Sequence, residues 1–329
     1  MSDAPVIALT GATGFVGGHV LHVLLEKGCP VRLLARDPAR LSAAAMNTGR
    51  VEIVTGDLET QEALDALVRG ARAVIHLAGA IKAARKREFH RINAQGARRL
   101  AAAAMGGGVG RFVHVSSLAA RHPELSAYAA SKRASEEMVR DACGGMANPV
   151  IVRPPAVYGA GDRATLGLFD QLSRRHALLP GRADARLSLI HARDVARALV
   201  HLALSDAAGG EILEIDDGKE GGYSWPDMAR LAQEALGRPV HLHLLPRSLV
   251  AAAGVGADAL SRLTGRAFML SSGKARELYH PGWVAHSAAM REKTGWTART
   301  GFAEGFAQTL QWYCDKGWLP ASRRPEKRS

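Results

Sequence analysis

The chain has 329 residues, of which 47% are hydrophobic and 22% are charged, as is ordinary for a soluble globular protein. Its three cysteines, Cys29, Cys143 and Cys314, lie far apart without a CxxC pair, so we expect neither a disulfide framework nor a bound metal. No apolar run reaches the roughly 18 residues of a membrane span, and the N-terminus lacks the basic and apolar segments of a signal peptide. These features together predict a cytoplasmic protein in a reducing compartment.

The formal net charge is +12 and the isoelectric point lies near 10.1. Such a charge fits either an anionic partner, such as nucleic acid or a membrane surface, or a solvated basic surface with a basic tail at 322–329. Aromatic residues make up only 5% of the chain, and no basic stretch is interleaved with stacking side chains. We therefore expect no nucleic-acid partner, although a charged small molecule could use part of this charge.

Short apolar runs alternate with helix-like stretches through the first half of the chain. This alternation predicts a parallel sheet with helices on both faces, and sheets of this kind bind ligands beyond the carboxyl ends of their strands. Strands are expected at 6–9, 31–35, 51–55, 73–77, 111–115 and 150–152, and helices at 16–27, 62–69, 89–105 and 127–142.

The alternation weakens after about residue 156, where the pattern favours strands at 187–190 and 211–215 and helices at 195–204, 225–237 and 302–314. Residues 240–264 are apolar and carry few charges. This segment is either an element for a membrane surface or a lipid substrate, or a helix that covers a substrate pocket. The second interpretation is favoured because the polar face is thin, and peripheral membrane association stays open as the alternative.

A glycine-rich turn is predicted between the first strand and the first helix. Gly11, Gly14 and Gly17 follow the GxxGxxG spacing within 10–17. The first glycine permits the tight turn, the second lets the backbone approach a pyrophosphate, and the third lets the helix pack close to the sheet. The helix N-terminus then presents free N–H groups to the anion. Because the motif lies between a strand and a helix, it predicts a dinucleotide site.

The end of the second strand bears on the choice of dinucleotide. NAD enzymes usually carry a carboxylate there, which binds the ribose hydroxyls. Here Ala35 occupies that position and Arg36 follows, with Arg40 available for a second contact. A guanidinium suits the 2′-phosphate of NADP. The alternative is that Arg36 is a surface residue, that Asp37 binds the ribose, and that NAD is used.

Two further strand ends are predicted to face the dinucleotide. Asp57 follows the third strand and can accept a hydrogen bond from the adenine amino group, or it can cap the next helix. The small residues Ala78 and Gly79 follow the fourth strand, where they let the backbone pass the cofactor.

Tyr128 and Lys132 are four residues apart on a predicted helix, so both side chains lie on one face. The lysine charge is expected to lower the pKa of the tyrosine, which then exchanges a proton with a carbonyl or alcohol oxygen. Ser117, at the end of the fifth strand, can hydrogen-bond the same oxygen. These three residues and the glycine turn are separate features that agree on one chemistry.

As a set, these motifs resemble the extended short-chain dehydrogenase/reductase family, whose members include epimerases and dehydratases. The resemblance covers most of the chain and rests on 10–17, 56–58, 77–79, Asn93, Ser116-Ser117, Tyr128 with Lys132, and 153–159. It implies an α/β fold, a Rossmann-type doubly wound parallel sheet with a smaller C-terminal substrate-binding domain. The expected Rossmann domain spans 1–155 with returning segments at about 186–215, and 156–329 mainly forms the substrate domain.

The resemblance also implies roles for individual residues. Ser117, Tyr128 and Lys132 become the catalytic residues, and Asn93 either supports the site or is a buried structural group. The residues expected at the cofactor are Gly11, Thr13, Gly14, Phe15, Val16, Gly17, Arg36, Arg40, Asp57, Leu58, Leu77, Ala78, Gly79, Asn93, Ser116, Tyr128, Lys132, Pro155 and Val157.

Three functions are compatible with this set. The favoured one is an NADP(H)-dependent oxidoreductase that interconverts a ketone and an alcohol. If residues 240–264 contact the substrate, we expect that substrate to be hydrophobic. The second is a nucleotide-sugar epimerase or dehydratase that retains its cofactor, but many such members carry an asparagine about where Ala156 stands. The third is a cofactor-binding structural or regulatory protein, which has no need of an intact catalytic set. A monomer or a homodimer is expected.

Overall fold

The computed structural model of the chain describes residues 5–41, 46–144, 149–266 and 268–325. Its strands, in chain order, are β1 (Val6–Thr10), β2 (Val31–Ala35), β3 (Val51–Thr55), β4 (Ala71–His76), β5 (Arg111–Val115), β6 (Val150–Arg153), β7 (Ala156–Tyr158), β8 (His176–Pro180), β9 (Arg186–Leu187), β10 (Leu189–His191), β11 (Ile212–Glu214), β12 (Tyr223–Ser224), β13 (His241–Leu245) and β14 (Gly282–Trp283).

Seven of these strands form one parallel sheet in the order β11-β6-β5-β4-β1-β2-β3. The chain runs outward from β1 to β3 on one side and then returns to build β4 to β6 on the other side. The strand order therefore reverses between β1 and β4, and the carboxyl ends of both strands meet at that point.

Helices cover both faces of the sheet. They are α1 (Phe15–Glu26), α2 (Gln61–Val68), α3 (Lys86–Phe89), α4 (Gly96–Gly106), α5 (Ala127–Cys143), α6 (Leu166–Leu172), α7 (Ala192–Leu204), α8 (Trp225–Leu236), α9 (Arg247–Thr264), α10 (Ser272–Leu278), α11 (Ala288–Thr294) and α12 (Phe302–Asp315). Helices α1 and α7 bury their apolar sides on one face, and α2, α4 and α5 bury theirs on the other. The Rossmann-type doubly wound α/β fold expected from the sequence is confirmed.

The predicted elements of the first half match the structure closely, because their apolar residues are buried on both sheet faces. The strands at 31–35, 51–55 and 111–115 have the predicted bounds. The helix expected at 89–105 is longer, since α3 continues through a π-helical segment, His90–Gln95, into α4.

The strand expected at 187–190 is wrong as a single element. The chain breaks at Ser188 into β9 and β10, and neither joins the main sheet. Strand β10 pairs with β7, whereas β9 lies between β12 and β14. Short apolar runs do not reveal their pairing partners, because a strand meets its partner only through tertiary contacts.

The C-terminal half has an apolar core of its own. Aromatic side chains of several elements pack there, with Phe169 stacked on Phe306 at 5.1 Å between ring centroids. Helices α8 and α12, which were expected at 225–237 and 302–314, supply much of this core. The domain boundaries given above remain a prediction.

Residues 240–264 divide into strand β13 and helix α9, with Pro246 between them. Within the described ranges, no helix combines the length and the apolar character needed to cross a membrane.

Candidate active site

A cavity of about 1710 Å³ lies at the carboxyl ends of the central strands. The Rossmann sheet forms its floor, and α10 together with part of α9 closes it from the C-terminal side. Most of the residues predicted for the site line this cavity: Gly11, Gly14, Phe15, Val16, Gly17, Leu77, Gly79, Asn93, Ser116, Ser117, Tyr128, Lys132, Pro155 and Val157. The structure therefore brings the glycine turn and the catalytic candidates into one space.

Six predicted cofactor residues do not line the cavity: Thr13, Ala78, Arg36, Arg40, Asp57 and Leu58. Ala78 contacts the start of the glycine turn, because its backbone N–H donates to the Thr10 hydroxyl at 3.2 Å. The side chain of Leu58 is buried in the core beside Gly96, so its place at the cofactor stays a prediction.

The glycine turn is packed so tightly that side chains are excluded. Gly11 has a φ of +79°, and a Cβ there would stand 2.7 Å from the Ala78 nitrogen. A Cβ at Gly17 would stand 2.0 Å from the Gly11 carbonyl oxygen. Both glycines are therefore required by the backbone itself, as the sequence predicted.

The N-terminus of α1 fits a pyrophosphate. Gly14 caps the helix without a side-chain hydrogen bond, and no acidic residue lies in the first turn. The first N–H groups of the helix therefore keep their capacity to bind an anion, and the helix dipole favours negative charge there. The absence of side chains at Gly11 and Gly14 leaves room for a dinucleotide to approach the backbone.

Arg36 and Arg40 lie beyond the end of β2, and both are exposed. Neither side chain forms a hydrogen bond or ion pair with another residue in the described ranges. Asp37, the alternative ligand for a ribose, accepts a hydrogen bond from the Ala39 N–H at 3.2 Å and caps a short 3-10 helix.

Asp57 forms a turn ahead of α2. Its carboxylate accepts from the Glu59 N–H at 2.8 Å and from the Thr60 hydroxyl at 3.1 Å. These bonds lower the pKa of Asp57, so it is ionised. The cap of α2 is Thr60, so Asp57 is not the cap residue itself.

Tyr128 faces the cavity from the first turn of α5, and Ser117 is close enough to hydrogen-bond its hydroxyl. The expectation of a lowered tyrosine pKa is wrong for this structure. Burial raises the pKa of Tyr128, the hydrogen bond with Ser117 opposes that shift, and the carboxylate of Glu277 adds to it. Desolvation of the phenolate outweighs the stabilising contact.

Lys132 shares the helix face of Tyr128 but turns toward the sheet. Its ammonium group donates to the Val115 carbonyl oxygen at 2.7 Å. Burial lowers the pKa of Lys132 to about 8, although the nearby Glu136 carboxylate opposes the shift. The lysine is thus anchored at the end of β5, with its remaining donors available to a ligand in the cavity.

Ser116 and Ser117 follow β5 but have different environments. The Ser116 hydroxyl donates to Glu136 at 2.5 Å, and Glu136 accepts a two-pronged contact from Arg153 at 2.8 and 2.6 Å. Ser116 is therefore tied into a buried ion pair. Ser117 caps the following short helix by accepting from the Ala119 N–H and lines the cavity.

Asn93 supports the cavity wall. Its side-chain carbonyl accepts from the Ala80 N–H at 2.7 Å, and its amide donates to the Ala80 carbonyl at 3.0 Å and to the Ser131 hydroxyl at 2.9 Å. The residue lies in the π-helical segment, a distortion often found at functional sites. Its amide joins the loop after β4 to α5, so it positions the wall on which Tyr128 stands.

The family model for NAD dependent epimerase/dehydratase proteins matches residues 7–215. The chain belongs to this family. It is a member of the extended short-chain dehydrogenases/reductases, as its motifs predicted, and the family together with its reductase relatives supports an NAD(P)-dependent oxidoreductase.

Two relatives carry reductase names. The ceramide reductase of Caulobacter vibrioides is 44% identical over 317 residues, which cover 96% of each chain. A ketoreductase of Stigmatella aurantiaca, whose named substrate is a farnesylated dihydroquinoline oxide, is 28% identical over 86% of this chain and 93% of that one. The solved structure of MoeE5 with UDP-glucose and NAD superposes with a TM-score of 0.72 at 24% identity, over 95% of this chain and 99% of that one. That structural likeness shows the fold alone.

Glu277, which lies near Tyr128, was not predicted from the sequence. Glu277 of α10 is buried and accepts hydrogen bonds from the hydroxyl of Ser126 and from the ammonium of Lys274. Ser126 caps α5, two residues before Tyr128, so the carboxylate is held beside the first turn of α5. No local pattern marks this glutamate, because it reaches the site only through a contact 151 residues away in sequence.

Proposed function

We propose that this chain is an NADPH-dependent reductase that converts a ketone on a ceramide-like lipid to a secondary alcohol. Support for the lipid comes from the 44% identity to a ceramide reductase along nearly the whole of both chains. The cavity adds to this, because its volume of about 1710 Å³ and its largely apolar lining suit a substrate with long hydrocarbon chains.

The observation that carries the reaction type is that Ser117 and Tyr128 both line the cavity that the glycine turn opens into. A substrate carbonyl oxygen placed between these two hydroxyls accepts a hydrogen bond from each of them. Bound NADPH supplies the hydride that forms the new C–H bond at the carbonyl carbon.

Tyr128 donates the proton that completes the reduction. As the carbonyl π electrons move onto oxygen, the Tyr128 O–H bond breaks and its proton forms the hydroxyl of the alcohol. The raised pKa of Tyr128 keeps it protonated at neutral pH, which suits the direction of reduction. Lys132 holds its positive charge below its pKa of about 8 and stabilises the tyrosinate left behind, which regains a proton from water.

The first test replaces the proton donor by Tyr128→Phe. The substrate is a ketone-bearing ceramide in detergent micelles, and NADPH consumption is followed by its absorbance. We expect kcat to fall at least about a hundredfold, because general acid catalysis contributes that much or more, while NADPH affinity changes little.

The matched control is Tyr223→Phe, which removes a tyrosine hydroxyl that donates to Asp217 and does not line the cavity. It should retain most of the activity. Steady NADPH consumption by Tyr128→Phe would refute the role of Tyr128. A cofactor that stays bound and is never consumed, with any substrate, would favour an epimerase or dehydratase instead.

The NADP preference rests on Arg36, an exposed guanidinium after a strand that ends in Ala35 without a carboxylate. Arg36→Ala should weaken NADPH binding by at least about tenfold, the cost of one charge-assisted contact, and leave NADH binding almost unchanged. Fluorescence titration with both cofactors measures the difference. An equal loss of affinity for NADPH and NADH would contradict the assignment of Arg36 to the 2′-phosphate.

A further inference from the structure

Helix α9 presents an apolar face to solvent. Leu249, Val255, Leu260 and Leu263 are 61%, 61%, 47% and 85% exposed, and alanines or glycine fill the positions between them on that face. An ordinary surface helix shows the opposite arrangement, with its polar side outward. This face therefore leaves contiguous apolar surface without a described partner.

The inward face of α9 explains why the helix is oriented this way. Gly254 packs directly on the backbone of Ser271, and a Cβ there would stand 2.9 Å from the Ser271 carbonyl oxygen. Asp258 accepts from the Ser272 N–H at 3.1 Å, and Ser261 donates to the Arg266 carbonyl at 2.7 Å. These contacts hold the side of α9 with the small and polar residues against the protein. The leucines on the opposite side of the helix therefore face solvent.

The apolar face continues to the mouth of the active-site cavity. Phe268 and Met269, just after α9, are exposed and line the cavity. Ile81 and Leu178, which belong to other segments of the cavity wall, are also exposed. Within the described ranges, the large apolar side chains that are exposed thus lie on α9 or line the cavity. The exposed apolar side chains of the cavity wall therefore lie where the cavity meets solvent, and Phe268 and Met269 follow shortly after α9 in the chain.

Positive charge surrounds this surface. The segment 79–87 has four cations and no acid, and 247–270 has three cations and a single acid, Asp258, which is bonded inward. The cations are exposed: Lys82, Arg85, Lys86, Arg87, Arg247, Arg262 and Arg266. An apolar helix face bordered by lysine and arginine is the composition of helices that lie in the interface of an anionic bilayer.

We propose that α9 and the apolar cavity mouth dock onto the surface of an anionic phospholipid bilayer. The leucines of α9 enter the boundary between headgroups and acyl chains, and the flanking cations contact the lipid phosphates. The entrance of the active site then opens onto the membrane. Docking itself does not depend on the proposed function, but direct delivery of a lipid substrate rests on it.

The test is co-sedimentation of the full-length protein with vesicles of phosphatidylcholine alone, or of phosphatidylcholine with phosphatidylglycerol. The protein should bind the anionic vesicles far better. The triple variant Leu249→Ser/Leu260→Ser/Leu263→Ser should bind them roughly thirtyfold more weakly, because each leucine contributes burial of a few methylene groups. These leucines lie outside the cavity, so turnover of a short water-soluble ketone should stay unchanged.

Charge is tested separately with Arg247→Ser/Arg266→Ser. Loss of two interfacial charges should weaken binding to anionic vesicles by about tenfold or more and have little effect on neutral ones. The matched control, Arg72→Ser/Arg98→Ser, removes two exposed charges far from α9 and should bind as the original chain does.

Two outcomes would overturn the proposal. The first is that the original chain does not bind anionic vesicles, and the second is that the leucine variant binds them as well as the original. If light scattering then shows that the leucine variant also has a different mass, the face is a contact between copies of the chain. If vesicles are bound but no ketone is reduced, the proposed function fails and the docking stands.

Discussion

Tyr128 lies among groups that act on its proton affinity in opposite directions. Burial and the Glu277 carboxylate raise its pKa, whereas the hydrogen bond with Ser117 lowers it. The sequence predicted only the neighbour on the same helix, Lys132, and that ammonium is directed to the Val115 carbonyl. At the scale of single residues, the proton affinity of Tyr128 is therefore set first by its burial and then by residues from α10 and the end of β5.

Glu277 offers a direct test of this balance. Glu277→Gln removes a negative charge near Tyr128, so the tyrosinate is less disfavoured and the pKa of Tyr128 should fall. Alcohol oxidation requires the tyrosinate, so its rate should reach its plateau at a lower pH in the variant. The measurement is the pH profile of kcat/KM for oxidation of the alcohol product.

Glu137→Gln is the control for this change, because Glu137 is an exposed residue of α5 that pairs with Arg133 outside the cavity. Its profile should match that of the original chain. If Glu277→Gln leaves the profile in place and lowers activity uniformly, Glu277 has only a structural role.

At the scale of elements, the junction of β1 and α1 shapes the predicted cofactor site. The close approach of α1 to the turn depends on Gly17, whose α-hydrogen faces the Gly11 carbonyl. The clash that a Cβ would cause is between two backbone segments, so no side-chain movement can relieve it.

Gly17→Ala should therefore lower the free energy of unfolding by about 1–3 kcal/mol, as overpacking does, and weaken NADPH binding by at least about tenfold. Gly18→Ala is the matched control. A Cβ at Gly18 would meet nothing nearer than the Ala12 carbonyl oxygen at 3.9 Å, and alanine is the better helix former. Chemical denaturation and fluorescence titration measure the two quantities, and similar losses in both variants would contradict the steric argument.

At the scale of the whole molecule, a chain of buried ion pairs joins the sheet to C-terminal segments. Arg153 contacts both Glu136 and Glu214, and Glu214 is paired with Arg121 and accepts from the His286 N–H. These contacts connect α5, β6 and β11 with the segment that follows β14. Helix α5, which carries Tyr128 and Lys132, is thus fixed relative to the C-terminal segments.

Two histidines lie in the centre of the fold beneath Lys132. His76 of β4 and His114 of β5 are buried with their ring centroids 5.3 Å apart. His76 hydrogen-bonds the Thr10 hydroxyl at 2.7 Å, and His114 the Ser135 hydroxyl at 2.9 Å. Burial and the Lys132 charge lower the pKa of His76 from 6.5 to about 3 and that of His114 well below its ordinary value.

The unfolded chain gains protons at these histidines below pH 6.5, whereas folded His76 does not until the pH approaches 3, and the pKa of folded His114 lies well below 6.5. Folding stability should therefore fall as the pH decreases through that window, by up to about 1.4 kcal/mol per pH unit for each histidine. Denaturation midpoints at several pH values measure the slope. His114→Asn should make it shallower, whereas replacing the exposed His90 should leave it unchanged, and an unchanged slope in His114→Asn would contradict the argument.

The alternation of strands and helices, the glycine turn, and the set of Ser117, Tyr128 and Lys132 could all be predicted from the amino-acid sequence. These features are local, since each depends on residue spacing within one or two adjoining elements, and so they can be predicted without knowledge of long-range contacts.

The surroundings of those residues became known only from the folded chain. The fold placed Glu277 beside Tyr128, turned Lys132 toward β5, and directed the leucines of α9 outward at the cavity mouth. The physical reason is that burial, desolvation and the choice of a packing face depend on segments far apart in the chain. A pattern within one segment gives its amphipathic character, but it does not give the partner that the apolar side meets.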